Sequence, residues 1–347
     1  MASPRSVSPD LKRIDKLLRG GGLTPRRKRS QSGWSGNSRQ SERKEILPQP
    51  ARRVVKSRVE IVRAGGWDAW PWLVQGFSTR TGGATTAYRP GQRAGELNLG
   101  FTQTDTREHV LENRRRFLEA LGAPKMKVVT LKQIHSSMVK RAGIDDADRD
   151  APCYGDGLMT NEPGVLLAIQ TADCIPVLVA DVKRRAVAAF HAGWRGTLQR
   201  IVENGVGRMR SEFNSQPEDL IAAIGPGIAA CCYAVGEEVR SEFASQFAYA
   251  PELLTEVSDA DPIHDKYPLL FLTARAPGHS NLGPQIHLDL MEANRRQLLD
   301  AGLRAGSIAV IGHCTRCQNN RYFSYRAEQG FTGRLLSVVG VRAASKR

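Results

Sequence analysis

No stretch of 18 apolar residues occurs anywhere in the 347-residue chain, so no transmembrane helix is expected. Nor does the N-terminal region hold the run of 7–15 apolar residues that marks a secretory signal. Histidine is scarce, with seven in all and no His-x-His pair. The six cysteines include one CxxC, Cys314-Thr315-Arg316-Cys317, with no second to match it. Without a secretory signal they read as thiols rather than disulfides. Acidic residues are also under-represented, 35 against 50 Lys and Arg, for a net charge of +15.

That charge is unevenly spread. Residues 1–58 hold 16 basic groups and 4 acidic ones, leaving 34 against 31 for residues 59–347. The first 58 residues are rich in Ser, Arg, Gly and Pro and include Gly20-Gly21-Gly22 and Arg26-Arg27-Lys28-Arg29. Such a segment buries too little apolar surface to offset its ordering entropy, so it reads as a disordered basic tail. The tail can touch a polyanion, including nucleic acid, but reports nothing about the folded part. Asp10, Asp15, Glu42 and Glu45 weaken a transit-peptide reading. A cytoplasmic protein is the expectation, with an organelle address in the tail left open.

Residues 59–347 read as one mixed α/β domain. Val110, Leu111, Phe117, Leu118 and Leu121 recur at helical spacing, predicting a helix over 107–121 stopped by Gly122. Apolar runs predict strands over 72–77, 127–131, 165–170, 175–180, 186–192, 221–224 and 335–341. The three central strands are apolar on both faces, as strands covered on both sides are. Thr197 is expected to cap a helix carrying Leu198, Ile201, Val202, Val206 and Met209. Asp289 and Glu292 form a capping-box-like start for another.

Three residues stand where rigid scaffolds present reactive groups, at strand ends and in the turns that follow. His135 follows the strand over 127–131, Cys174 breaks two apolar strands, and His191 ends a third just before Gly193-Trp194-Arg195-Gly196. Their spacing is unlike a zinc finger. On residue type alone they fit a metal site assembled from distant strands, a Cys/His nucleophile pair, or ordinary packing. Two Gly-rich segments supply donors for an anion. One holds Ser78, Arg80, Gly82 and Gly83, and the other holds Gly193, Arg195 and Gly196 at a helix start. Asp156 in Gly155-Asp156-Gly157 reads as turn chemistry, Cys231-Cys232 as turn packing, and the lone CxxC as a weak zinc or redox signal.

Several blocks run in order through residues 60–341. They are Phe77-Ser78-Thr79-Arg80 with Gly82-Gly83, Asn98-Leu99-Gly100, Lys132-Gln133-Ile134-His135, Gly155-Asp156-Gly157, Gln170-Thr171-Ala172-Asp173-Cys174, His191-Ala192-Gly193-Trp194-Arg195-Gly196-Thr197, Gly225-Pro226 with Cys232-Tyr233, and Phe323-Ser324-Tyr325-Arg326. Together these resemble the YfiH family, long labelled multicopper polyphenol oxidases or laccase-domain proteins and now described as zinc-containing purine nucleoside phosphorylases. Ile134 stands where the family usually has Val, and Gly227 where Ala or Ser is common; both changes are minor.

The resemblance implies a layered α/β/β/α sandwich with Zn2+ held by His135, Cys174 and His191. It also implies phosphorolysis of adenosine, inosine, guanosine or S-methyl-5′-thioadenosine, with adenosine deamination besides. The expected partners are a small nucleoside and inorganic phosphate. For the chemistry, Ser78, Arg80 and Arg195 are candidates for substrate and phosphate, and Asp173 for orienting a ligand or shuttling a proton. One rival is a copper oxidase, for which seven histidines with no His-x-His are poorly suited. Another is a Cys/His amide hydrolase that edits cell-wall precursors, with Cys174 as nucleophile and His191 as base.

Overall fold

The computed structural model describes residues 58–89, 95–148, 151–257 and 285–343; the basic tail lies outside them. Two large sheets form the centre. The first runs β1 (Ile61–Val62), β2 (Leu73–Ser78), β15 (Leu335–Val341), β7 (Val165–Thr171) and β4 (Lys127–Val129). The second runs β14 (Ile308–Val310), β10 (Leu220–Ile224), β8 (Ile175–Asp181), β9 (Ala186–Ala192), β6 (Gly157–Thr160) and β5 (Val139–Arg141). A small third sheet joins β11 (Ala234–Val235), β13 (Gln285–Leu288) and β12 (Leu254–Val257). A further strand, β3 (Thr81–Thr85), follows β2.

Strand periodicity explains the layering, because successive side chains point to opposite faces. In β8, Leu178 and Ala180 meet Leu167, Ile169 and Val339 of the first sheet. Val177 and Val179 face the other way, onto α3 (Ile201–Phe213) and α6 (Leu290–Asp300) through Val202, Val206, Met209 and Leu298. On the outer face of the first sheet, Val74, Leu166, Ala168 and Val338 pack against Phe117 and Leu121 of α1 (Arg107–Leu121). The result is helix, sheet, sheet, helix, as the resemblance implies, and every central strand is apolar because both of its faces are covered.

The expected helix over 107–121 is present. Thr106 caps it by accepting from His109 N, and Gly122 ends it at φ 74°. Leu111, however, lies on its exposed side. Asp289 caps α6 by accepting from Glu292 N. Thr197 does not cap a helix. A one-turn helix, α2 (Trp194–Leu198), begins directly after Gly193, and Arg200 at φ 58° separates it from α3. Thr197 is buried instead, its hydroxyl accepting from Asn294 Nδ2 and its carbonyl from Gln297 Nε2 of α6. The Gly82-Gly83 segment is part of β3, not an open loop. Two further helices complete this layer: α5 (Ala250–Leu253) packs beside α6, and α4 (Glu237–Gln246) beside α2 and α5. Among the described residues, no helix is long and apolar enough to cross a membrane.

Candidate metal centre

The chain passes from the first sheet to the second at one rim of the sandwich, and the site sits there. The β4–β5 connection carries His135, the β7–β8 connection carries Cys174, and β9 carries His191 beside them, one residue before its end at Ala192. In the β8–β9 ladder, Ile175 pairs with Ala192, so Cys174 falls opposite Gly193. A Cβ on Gly193 would stand 3.0 Å from Cys174 Sγ and 3.3 Å from His135 Cδ2, so a side chain in the turn after β9 would press on the cluster.

One ligand atom from each of His135, Cys174 and His191 lies within 4.8 Å of the others. The imidazoles meet edge to face, with centroids 5.0 Å apart. His191 is buried, Cys174 partly buried and His135 exposed, so the cluster opens to one side. Asp156 organises it. Its carboxylate accepts from His191 Nδ1 (2.9 Å), from the backbone N–H groups of Ile134, His135 and Ser136, and from Ser136 Oγ. Nδ1–H is thereby committed to Asp156, which leaves Nε2 as the nitrogen free to bind a metal. The same bonds hold His135 in the left-handed conformation, at φ 59°. Gln133 secures the loop to β7, bonding both N–H and C=O of Gln170 at 2.8 Å.

Burial alone pushes the Asp156 carboxyl up, but the hydrogen bonds from His191 and Ser136 outweigh this and bring it down to about 2. Burial also opposes charge on Cys174 and His191. The mutual attraction of the pair and their hydrogen bonds prevail, holding the thiol below its ordinary value and the imidazole above its own. A soft thiolate and two imidazoles, with a carboxylate behind one imidazole and one open side, fit zinc.

The cluster borders a cavity of about 610 Å³, also lined by Lys132, Gln170, Tyr233, Arg326 and Arg334. Of the residues singled out from sequence, His135, Cys174, His191 and Asp173 meet there; Ser78 and Arg80 do not. Ser78 is 1% exposed and accepts from Leu336 N. Arg80 is 2% exposed, with its guanidinium on Glu96, Glu328 and the carbonyls of Asn319 and Tyr322, so no face is left for phosphate. Arg195 lies outside the cavity lining, with its guanidinium over the Trp194 ring at 4.2 Å. Both Asp173 oxygens are engaged, one by Thr315 Oγ1 at 2.6 Å and the other by Arg326 N at 2.7 Å.

In the sequence Asp156 is legible only as a turn residue inside a block of resemblance; its place between two glycines next to a strand is the available signal. Arg326 has no signal beyond such a block and Arg334 has none, because only the fold brings the segment before β15 to the rim. Cys231 and Cys232 do more than pack a turn, since they meet Cys314 and Cys317.

The model of the family described as "Multi-copper polyphenol oxidoreductase laccase" matches residues 74–342. The chain belongs to that family. It is 33% identical over 287 residues to the purine nucleoside phosphorylase YlmD of Geobacillus stearothermophilus, covering 79% of this chain and 96% of that one. It is 30% identical over 236 residues to the adenosine deaminase RL5 of an unknown prokaryotic organism, covering 66% and 81%. The crystal structure of YlmD from G. stearothermophilus superposes with a TM-score of 0.66 at 32% identity, over 86% of this chain and 99% of that one. The chain is thus an enzyme of the laccase-type YfiH and YlmD family.

Proposed function

We propose that this enzyme is a zinc-containing purine nucleoside phosphorylase with adenosine deaminase side activity. The observation that carries the reading is the convergence of His135, Cys174 and His191 beside a cavity with a cationic wall. The relatives' names support both activities. The substrates are adenosine, inosine, guanosine or S-methyl-5′-thioadenosine, cleaved with phosphate to base plus ribose or methylthioribose 1-phosphate. The volume of the cavity suits a nucleoside, since small-ligand sites span about 300–1,000 Å³.

In phosphorolysis the bond from the anomeric carbon to the purine nitrogen breaks, and one from that carbon to a phosphate oxygen forms. Arg326 and Arg334 supply the positive wall that holds the anion near that carbon. Arg195 stands at the rim, where its charge reaches Tyr233. Tyr233, pushed up to about 12 by burial and by the charge of Cys174, stays protonated and offers a donor to base or sugar. Zinc held by His135, Cys174 and His191 would supply a Lewis acid for water or substrate in the cavity. Asp156 fixes the ring of His191 throughout. Asp173, with both oxygens occupied, acts as a positioning residue that joins the Cys174 turn to Thr315 and Arg326. The soluble substrates fit a cytoplasmic setting, and the basic charge of residues 1–58 suits contact with nucleic acid.

The test is to incubate purified protein with each nucleoside, with and without phosphate. Free base and a sugar 1-phosphate are expected only with phosphate, and inosine from adenosine without it. Cys174→Ala is expected to lose both zinc and turnover; phosphorolysis by a demonstrably metal-free variant defeats the reading. One observation favours a second reading, the amide hydrolase: Cys174 and His191 attract each other toward a thiolate–imidazolium pair. A zinc-free protein that hydrolyses amides, and is stopped by a thiol alkylator, selects it. The copper reading draws on the family description; two imidazoles and one thiol could hold a single blue-copper ion, but a multicopper oxidase also needs a histidine-rich trinuclear centre, and no such cluster is found among the described residues. Stoichiometric copper with a blue band would establish it.

A further inference from the structure

Outside this centre, four cysteines from two distant segments converge. Cys231 and Cys232 lie in the turn after β10, and Cys314 and Cys317 in the CxxC after β14. Their sulfurs all lie within 4.8 Å of one another, with Cys231 to Cys317 at 3.6 Å and Cys232 to Cys317 at 3.3 Å. Four sulfurs around one zinc at about 2.3 Å are about 3.8 Å apart along each tetrahedral edge. We propose that Cys231, Cys232, Cys314 and Cys317 bind a second zinc ion, in an all-sulfur structural site separate from the centre formed by His135, Cys174 and His191.

The surroundings are built for such an ion. The backbone N–H groups of Ala229 and Cys317 both point at Cys314 Sγ, as amides do where a thiolate carries charge. The second of these closes the CxxC upon itself. The two segments are already zipped together, Gly227 N donating to His313 O and Thr315 N to Gly227 O at 2.9 Å. Binding sheds four thiol protons to solvent and leaves a net charge of −2 on the site. Exposed Arg316, inside the CxxC, offsets part of it.

The position gives the ion a purpose. Between β14 and β15 the chain runs through residues 311–334 with no helix or strand, and such long loops need ties. The apolar cluster beneath is small, essentially Ile228, Cys232 and Cys314 with Ala229 and Tyr233 against it. An ion here substitutes for a core too small to hold the loop. It also braces the cavity wall, because Tyr233 follows Cys232 and Thr315, inside the CxxC, donates to Asp173. The site does not rest on the reaction proposed above.

The test uses the full chain and counts zinc by mass spectrometry in the wild type, Cys174→Ala, Cys231→Ser/Cys317→Ser, and the three changes combined. Two, one, one and no equivalents are expected. An unchanged zinc count in Cys231→Ser/Cys317→Ser overturns the proposal, whatever Cys174→Ala does, so its failure is distinct from that of the catalytic-zinc reading. A second measurement covers a variant that fails to fold. Cys231 and Cys317 are exposed, so as free reduced thiols they are open to iodoacetamide, and ligation would shield them. In zinc-replete wild type both are expected to resist alkylation until a chelator strips the ion. Immediate alkylation of both, or a disulfide between them in protein prepared under argon, overturns the site.

Discussion

Replacing Asp156 tests the proposed metal centre most directly. This carboxylate is fully buried and accepts five hydrogen bonds, from three successive amides, one hydroxyl and one imidazole. Its pKa is depressed from the ordinary 3.8 to about 2. A depressed carboxyl stabilises the fold above its unfolded pKa, and the contribution fades as pH falls toward the folded value. At about 1.4 kcal/mol per unit, the shift corresponds to about 2 kcal/mol, present at neutral pH and lost between about pH 4 and pH 2. Asp156→Asn keeps one acceptor oxygen but sets an NH2 group against donors. With buried amides left unpaired, the total destabilisation is expected to reach about 3 kcal/mol. The imidazole of His191 also loses its fixed orientation, which at a metal site typically costs about 10–100-fold in affinity. The assays are urea unfolding at pH 7 and pH 3, and zinc affinity by chelator competition. The Asp156→Asn protein should unfold earlier at pH 7, with the gap from wild type narrowing at pH 3, and should release zinc more readily. Equal midpoints and equal zinc affinity would refute the assignment.

Other substitutions separate local roles. Gly193→Ala places a methyl group 3.0 Å from Cys174 Sγ; zinc affinity should fall at least several-fold, while the unfolding midpoint moves by under about 1 kcal/mol in stability terms, because alanine suits the backbone there (φ −73°). Arg80→Ala breaks a buried ion pair with Glu96 and Glu328 and should cost about 3–5 kcal/mol of stability. Arg326→Ala and Arg334→Ala should instead raise the KM for phosphate with a smaller stability change; the opposite pattern in steady-state kinetics and melting would place the anion site at Arg80. Deleting residues 1–58 removes most of the net charge and should abolish binding to a polyanion column while nucleoside turnover persists.

How far the fold is legible in the sequence follows from which forces are local. The helix over 107–121 carries its own cap, stop and apolar stripe, so its ends appear in the sequence as they do in the structure. The strands β9 and β15 also match their expected bounds, because continuous apolar runs flanked by turns leave little freedom. Thr197 misleads because a good capping residue says nothing of its tertiary partners. Asn294 and Gln297, about 100 residues away, claim its hydroxyl and carbonyl. The strand expected over 127–131 stops at Val129, where its parallel pairing with β7 ends.

At the site, residue type reveals what could bind metal, and only topology reveals what surrounds it. His135 and Cys174 both lie where the chain crosses between sheets, so two crossings at one rim bring together residues 39 positions apart. Arginine shows the opposite case. Arg80 looks available in the sequence because Gly82 and Gly83 beside it suggest an open loop, yet Glu96 and the segment over 319–328 enclose it. Its charge is then spent on Glu96 and Glu328, which tie down the loop that delivers Arg326 to the cavity. The buried cation therefore serves the exposed one. An Arg80→Lys substitution, which keeps charge but loses the planar fork, should loosen that loop. It should weaken phosphate binding indirectly, with a lowered melting temperature alongside the raised KM. A raised KM at unchanged melting temperature would instead put Arg80 in direct contact with the anion and reverse this ordering of roles.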